Sequence, residues 1–157
     1  MAAPIGSFFK FLEDKKGKKL TGIDNLKYKL KYAPETLTKQ DNEIEGDLNL
    51  NSLTSIPKGF NPKVGRNLDL SGLTSIPKGF NPTVEGALDL NGLTSIPKEF
   101  NPTVNGSLNL NGLTSIPEGF NPKVDGYLYL TSWKSNMTQE ELKKRFPNVK
   151  GTIYTKK

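Results

Sequence analysis

The 157-residue chain contains no cysteine and no histidine. Without cysteine it has no disulfide scaffold, no Cys-ligated zinc and no thiol nucleophile. Without histidine it lacks the commonest general base and the commonest transition-metal ligand, which excludes Ser-His-Asp and Cys-His hydrolases. Carboxylate chemistry stays open, but most enzyme classes do not. We therefore expect a non-enzymatic protein that needs no metal and no cofactor.

Long apolar runs are missing as well. The N-terminal segment MAAPIGSFFKFLEDKKGKK has neither a basic n-region nor a sustained apolar run, so no secretory signal is visible. No apolar stretch reaches the roughly 18 residues that indicate a membrane-spanning helix. These features predict a soluble, cytoplasmic protein with no membrane partner.

The positive charge is unevenly distributed, although the net charge is +6. Residues 1–46 carry 9 basic residues against 7 acids, residues 47–126 carry 6 against 7, and residues 127–157 carry 7 against 2, which gives balances of +2, −1 and +5. A nucleic-acid-binding solenoid is expected to spread its cations along the working face, since phosphate neutralisation drives the affinity. Nucleic acid is therefore an alternative partner only through basic clusters near the two ends. These clusters are Lys10, Lys15, Lys16, Lys18 and Lys19, and Lys143, Lys144, Arg145, Lys150, Lys156 and Lys157.

A repeat with a period of 20 residues dominates the chain. The sequence LTSIP occurs at 53–57, 73–77, 93–97 and 113–117, and FNPxV follows at 60–64, 80–84, 100–104 and 120–124. Between these motifs lies a Leu-x-Leu, first at Leu48 and Leu50 and last at Leu128 and Leu130. Each unit offers six apolar side chains, which in the second unit are Leu68, Leu70, Leu73, Ile76, Phe80 and Val84. One unit cannot bury them alone, but stacked copies form a continuous core.

The punctuation of the repeat predicts its local conformation. Leu-x-Leu alternates with period two, which predicts a short strand with both leucines facing inward. Pro57, Pro62 and their copies exclude an α-helix on the return path, and Gly86, Gly106 and Gly126 mark the turn into the next strand. The first of these turns is shifted to Gly65 and Arg66. The predicted fold is α/β but mainly β, a right-handed solenoid with one short parallel strand per coil and helical caps.

The unit LxLxxLTSIPxxFNPxV resembles short leucine-rich-repeat arrays of bacterial and bacteriophage proteins. The resemblance covers residues 44–130, as four 20-residue repeats and the strand that follows them. It implies a leucine-rich-repeat-like solenoid that interacts through its strand face, and it admits a phage-encoded protein that binds a host factor. Serine at position 71 interrupts the asparagines that such repeats carry after the strand, which leaves a straighter solenoid open.

The segments outside the repeats are predicted to be caps. In the N-terminal cap, residues 1–43, Ser7 begins a helix that ends at about Lys15 and packs Phe8, Phe9 and Leu12 against the first coil. The strictly alternating residues 26–32 favour a strand of a degenerate repeat, and the alternative is a helix that buries Ile23, Leu26, Leu30 and Ala33.

The C-terminal cap, residues 131–157, contains a capping-box pattern at residues 138–141, which predicts a helix over about 138–146. A last strand is predicted at about 151–155, and Trp133 is expected to belong to the core or the cap.

The middle residue of each Leu-x-Leu is expected to point outward. Two polar rows result, Asn49, Asp69, Asp89, Asn109 and Tyr129 in one and Asp47, Asn67, Ala87, Ser107 and Tyr127 in the other. The tyrosines favour a recognition surface over a merely solvated sheet face, because tyrosine is enriched in interface hot spots. The predicted partner-binding residues are Asp69, Asp89, Asn109, Tyr127 and Tyr129, with Arg66 as a charged contact at the rim. A cation between Asp69 and Asp89, and a structural subunit whose strand edges pair between chains, are the remaining alternatives.

Overall fold

The computed structural model describes residues 22–157, so the helix expected to begin at Ser7 lies outside the described residues. The chain divides into two compact units, Met1–Asp41 and Asn42–Lys157. The described part of the first unit contains helix α1 (Gly22–Tyr32) and a 3₁₀ turn at Pro34–Thr36, and a second 3₁₀ turn spans Lys39–Asn42.

The strand predicted for residues 26–32 is wrong, and the helical alternative is right. Leu26, Leu30 and Ala33 are buried, at the i, i+4 and i+7 spacing of one helical face. The rings of Tyr28 and Tyr32, four residues apart, lie 5.3 Å from each other. An alternating pattern of apolar and lysine residues thus satisfied two periods, and burial on one helix face decided between them. The degenerate repeat is excluded with the strand.

An ion pair joins the end of the first unit to its helix. The Lys29 ammonium donates to both carboxylate oxygens of Asp41, at 3.2 and 3.0 Å, and the backbone N–H and hydroxyl of Thr38 donate to the same carboxylate. Burial raises the pKa of Asp41, but the hydrogen bonds from Thr38 and Lys29 outweigh it, and the pKa lies below its ordinary value.

The Asp41 contact is therefore expected to stabilise the unit at neutral pH and to be lost as the pH falls through the lowered pKa. Lys29→Gln should move the Asp41 pKa upward, which an NMR titration of the carboxyl carbon would measure. Lys27→Gln, on the same helix, is the matched control. An Asp41 pKa that is the same in both variants would contradict the assigned cause.

The second unit is a parallel-strand solenoid with two sheets. Its strands are β1 (Glu43–Ile44), β2 (Leu48–Asn49), β3 (Lys63–Val64), β4 (Leu68–Asp69), β5 (Thr83–Val84), β6 (Leu88–Asp89), β7 (Thr103–Val104), β8 (Leu108–Asn109), β9 (Lys123–Val124), β10 (Leu128–Lys134) and β11 (Ile153–Lys156). One sheet has the order β1-β3-β5-β7-β9 and the other β11-β10-β8-β6-β4-β2. Each strand of the repeats pairs with its copy 20 residues away, as Leu68 does with Leu88. The predicted mainly-β solenoid of 20-residue coils is confirmed.

The prediction of one strand per coil is wrong, because the FNPxV corner forms a second one. Thr83 donates its backbone N–H to the carbonyl of Pro62, and Glu85 donates to the carbonyl of Val64 in the preceding coil. Val64 and Val84 are fully buried beneath this ladder. The prolines that exclude a helix here therefore still permit pairing, since their carbonyls accept hydrogen bonds.

The core is the stack of inward side chains that the repeat predicts. All six predicted residues of the second unit are at most 8% exposed. The rings of Phe80 and Phe100 lie parallel at 6.2 Å, and those of Phe100 and Phe120 at 6.3 Å. The asparagines before proline bond the next coil, as expected. Asn81, Asn101 and Asn121 each donate a backbone N–H to the side-chain oxygen of the asparagine 20 residues earlier.

The C-terminal cap confirms its prediction in outline. Helix α2 (Gln139–Arg145) begins after Thr138, whose side chain forms a capping box with Glu141. Phe146 is fully buried, with its ring at 6.0 Å from that of Phe120, and the half-buried ring of Trp133 packs edge-on against it at 6.2 Å. Strand β11 pairs in parallel with β10, although it begins at Ile153 rather than at residue 151. Within residues 22–157, no helix has the length and apolarity to cross a membrane.

Candidate interaction surface on the strand face

The predicted outward rows exist in the register expected from the sequence. Asn49, Asp69, Asp89 and Asn109 are direct partners in successive strands, and Asn109 pairs with Tyr129. Neighbouring strands lie about 4.8 Å apart, so these side chains form a regular ladder along one face. We call this row, continued by Tyr154 on β11, the polar ladder.

Three tyrosines close the polar ladder at its C-terminal end. The rings of Tyr129 and Tyr154 stack at 5.0 Å with an angle of 8° between their planes. The Tyr127 ring stands edge-on to both, at 6.2 and 5.9 Å. Tyr127 is 46% exposed and Tyr154 is 42% exposed, while Tyr129 is half-buried. We call these three residues the tyrosine cluster. It presents aromatic surface on a rigid support of paired strands.

Tyr154 was missing from the predicted site, although the sequence contained its signal. The segment GTIY at residues 151–154 aligns with GYLY at residues 126–129, which places Tyr154 opposite Tyr129. The five-residue insertion that contains α2 hides this alignment from a strict 20-residue period.

The two aspartates of the polar ladder are held by local turns. Asp69 accepts hydrogen bonds from the backbone N–H of Ser71 at 3.0 Å and from its hydroxyl at 2.6 Å. Asp89 accepts from the backbone N–H of Asn91 at 3.0 Å, and Asn109 accepts in the same way from Asn111 at 3.2 Å. One side-chain oxygen per coil is thus bonded to the turn after the strand, which is typical of Asx turns.

A shallow cavity of about 280 Å³ lies between the aspartates and the tyrosine cluster. The predicted residues Asp89, Asn109 and Tyr129 line it together with Asn111. Ala87 and Ser107, the smallest residues of the second outward row, provide the depression. The structure therefore brings three of the six predicted site residues to one concave place.

Arg66 and Asp69 lie farther along the solenoid. Arg66 is exposed in the bend before β4, where its carbonyl accepts from the N–H of Gly86. Three coils separate this position from Tyr129, which corresponds to about 14 Å. The expected contact at the rim is thus not adjacent to the aromatic end.

Most of the C-terminal cations have partners within the fold. Lys143 donates to the carbonyls of Val149, Lys150 and Gly151, and the Lys150 ammonium lies 2.9 Å from Asp125. The Arg145 guanidinium lies 5.3 Å from the centre of the Trp133 ring. Lys144 pairs with Glu140 at 3.1 Å, whereas Lys156 and Lys157 are exposed at the end of the chain. The N-terminal lysines of the predicted basic cluster lie outside the described residues.

No group of three or more His, Cys, Asp or Glu side chains suited to a metal ion occurs in residues 22–157. Asp69 and Asp89 are therefore the two carboxylates that the ladder could offer a cation, and their first oxygens already accept hydrogen bonds.

The fold and its surface define a class of protein, a parallel-strand β-solenoid whose polar strand face ends in an aromatic cluster. Comparison of the chain with protein-family models, with curated proteins and with solved structures found no match.

Proposed function

We propose that this chain is a non-catalytic protein-binding module whose partner docks on the polar ladder and the tyrosine cluster. The observation that carries the proposal is the exposure of Tyr127 and Tyr154 around the stacked ring of Tyr129. Tyrosines offer a large apolar area with a polar tip and lose little conformational entropy on binding, and they are therefore enriched among interface hot spots. A backbone held by sheet pairing in every coil adds little ordering cost when a partner binds.

Two observations weigh against the alternative functions. Lys143, Lys150 and Arg145 are engaged within the C-terminal cap, which leaves few cations there for nucleic acid. An assembly subunit would need an open strand edge, but the side-chain amide of Gln139 bonds both the N–H and the carbonyl of Ile153 on the edge strand β11. Natural proteins cover edges in this way to prevent pairing between chains.

The resemblance of the repeat to bacterial and bacteriophage arrays makes a bacterial protein the partner to seek. In this proposal the chain acts in the cytoplasm of a bacterial cell, and a phage-encoded binder of a host factor is the form that the resemblance favours.

The proposal is tested by affinity capture from nuclease-treated bacterial lysate, with Tyr127→Ala/Tyr154→Ala compared against the unchanged chain. We expect a discrete protein whose recovery falls about tenfold or more in the double variant, because hot-spot residues contribute about 2 kcal/mol or more. Tyr32→Ala, which removes an exposed tyrosine outside the solenoid, is the matched control and should retain full capture.

Other results would support the alternatives. Capture that disappears with nuclease, and that is lost on changing Lys156 and Lys157 to glutamate, would indicate a nucleic-acid-associated protein. A molecular mass that rises with concentration, without tyrosine-dependent capture, would indicate an assembly subunit.

A further inference from the structure

We infer that the cavity between Asp89 and Tyr129 receives an arginine side chain of the partner protein. The inference rests on the proposed function and specifies its chemistry. The cavity combines a carboxylate at one end with an aromatic ring at the other, and Asp89 is the only charged residue among those that line it.

The Tyr129 ring presents one of its two faces to the cavity. Its other face is covered by Tyr154, which stacks on it from the following coil at 5.0 Å. Since Asn109 occupies the preceding coil, the uncovered face is turned toward the side where the cavity lies. A cation within about 6 Å of a ring centre is attracted to the negative face of the π-system.

The Asp89 carboxylate keeps acceptor capacity on its second oxygen. Its Oδ1 accepts the N–H of Asn91 at 3.0 Å, but the contact of Oδ2 with the Asn91 side-chain nitrogen is 3.5 Å long. A carboxylate oxygen so weakly bonded can accept a charge-assisted hydrogen bond from a bound cation.

The spacing of the coils suits a planar cation. Asp89 and Tyr129 belong to strands two steps apart, which places their backbones about 9.6 Å from each other. Asn109 lies between them, and its side-chain oxygen is bonded to the N–H of Asn111 in the turn after the strand. A guanidinium in this gap lies within about 5 Å of both ends. Arginine fits better than lysine because its flat fork stacks on a ring while it donates sideways to a carboxylate.

The test begins with selection of displayed random 12-residue peptides on the full chain. We expect the selected peptides to contain an arginine whose replacement by lysine weakens binding several-fold and whose replacement by citrulline, which keeps the shape but not the charge, weakens it tenfold or more. Absence of enrichment, or enrichment of peptides without arginine, would overturn the inference.

The matched variants are Asp89→Asn and Asp69→Asn. Asparagine is compatible with both positions, because Asn49 and Asn109 occupy the same row. Both changes remove one charge from equivalent turns, but only Asp89 lines the cavity. We expect Asp89→Asn to weaken binding of the selected peptides about tenfold and Asp69→Asn to change it less than threefold. Equal effects of the two changes would overturn the inference.

Failure of this inference can be distinguished from failure of the proposed function. Tyrosine-dependent capture from lysate that is insensitive to Asp89→Asn would leave the protein-binding function intact and remove the arginine pocket. Selected peptides that need Asp89, without any tyrosine-dependent capture, would support the pocket and contradict the proposed docking surface.

Discussion

Replacing Phe100 with alanine is expected to lower the free energy of unfolding by about 3–5 kcal/mol. The Phe100 side chain is 2% exposed, and its ring lies between those of Phe80 and Phe120 at 6.2 and 6.3 Å. In a solenoid each coil contacts only its neighbours, so a cavity in a middle coil weakens the interfaces on both sides. Denaturant unfolding followed by circular dichroism would measure the loss.

Two variants serve as controls for Phe100→Ala. Phe100→Leu retains most of the apolar volume and should cost clearly less, while Lys98→Ala, an exposed position of the same coil, should change stability by less than about 0.5 kcal/mol. If Phe100→Ala cost no more than Lys98→Ala, the phenylalanine stack would not be a main source of stability.

Gly106→Ala is expected to destabilise the protein by about 1–3 kcal/mol, as overpacking does. A Cβ at Gly106 would lie 2.6 Å from the carbonyl carbon and oxygen of Gly86 in the preceding coil, and the Gly106 N–H donates to that same carbonyl. The backbone ladder between coils must therefore open to admit a methyl group. Thermal unfolding of the full chain would measure the effect.

Gly46→Ala is the matched control, because Gly46 occupies the same position of the repeat. A Cβ there meets nothing within 4 Å, and neither glycine has the left-handed backbone conformation that other residues avoid. We expect Gly46→Ala to be neutral or stabilising by up to about 1 kcal/mol, since alanine restricts the unfolded chain. Equal effects at the two sites would mean that close stacking of the coils does not explain the glycine.

The accuracy of the sequence predictions follows the physics of repetition. A period of 20 residues specifies which side chains meet in neighbouring coils, and Leu68, Phe80 and their copies are buried as predicted. The capping box at Thr138 depends on residues three apart and was also predictable. The strand expected for residues 26–32 was wrong because lysines alternating with apolar residues fit both a strand and a helix.

The candidate site was predicted in part for the same reason. Asp89, Asn109 and Tyr129 follow from the register, which the repeat determines. The participation of Tyr154 and the depression above Ala87 depend on how the cap returns to the sheet and on the size of side chains in adjacent coils. Arg66 was expected at the rim, but its distance along the axis separates it from the tyrosine cluster.

By itself the sequence determined the period of the coil, the inward and outward residues of each strand and the helix of the C-terminal cap, because each depends on local or strictly repeated spacing. The tertiary structure alone decided that residues 22–32 form a helix, that the proline corners pair as a second sheet, and that one face of the Tyr129 ring lines a cavity. Each of these outcomes depends on which atoms meet across coils or across a buried face, and no single segment of the chain encodes that.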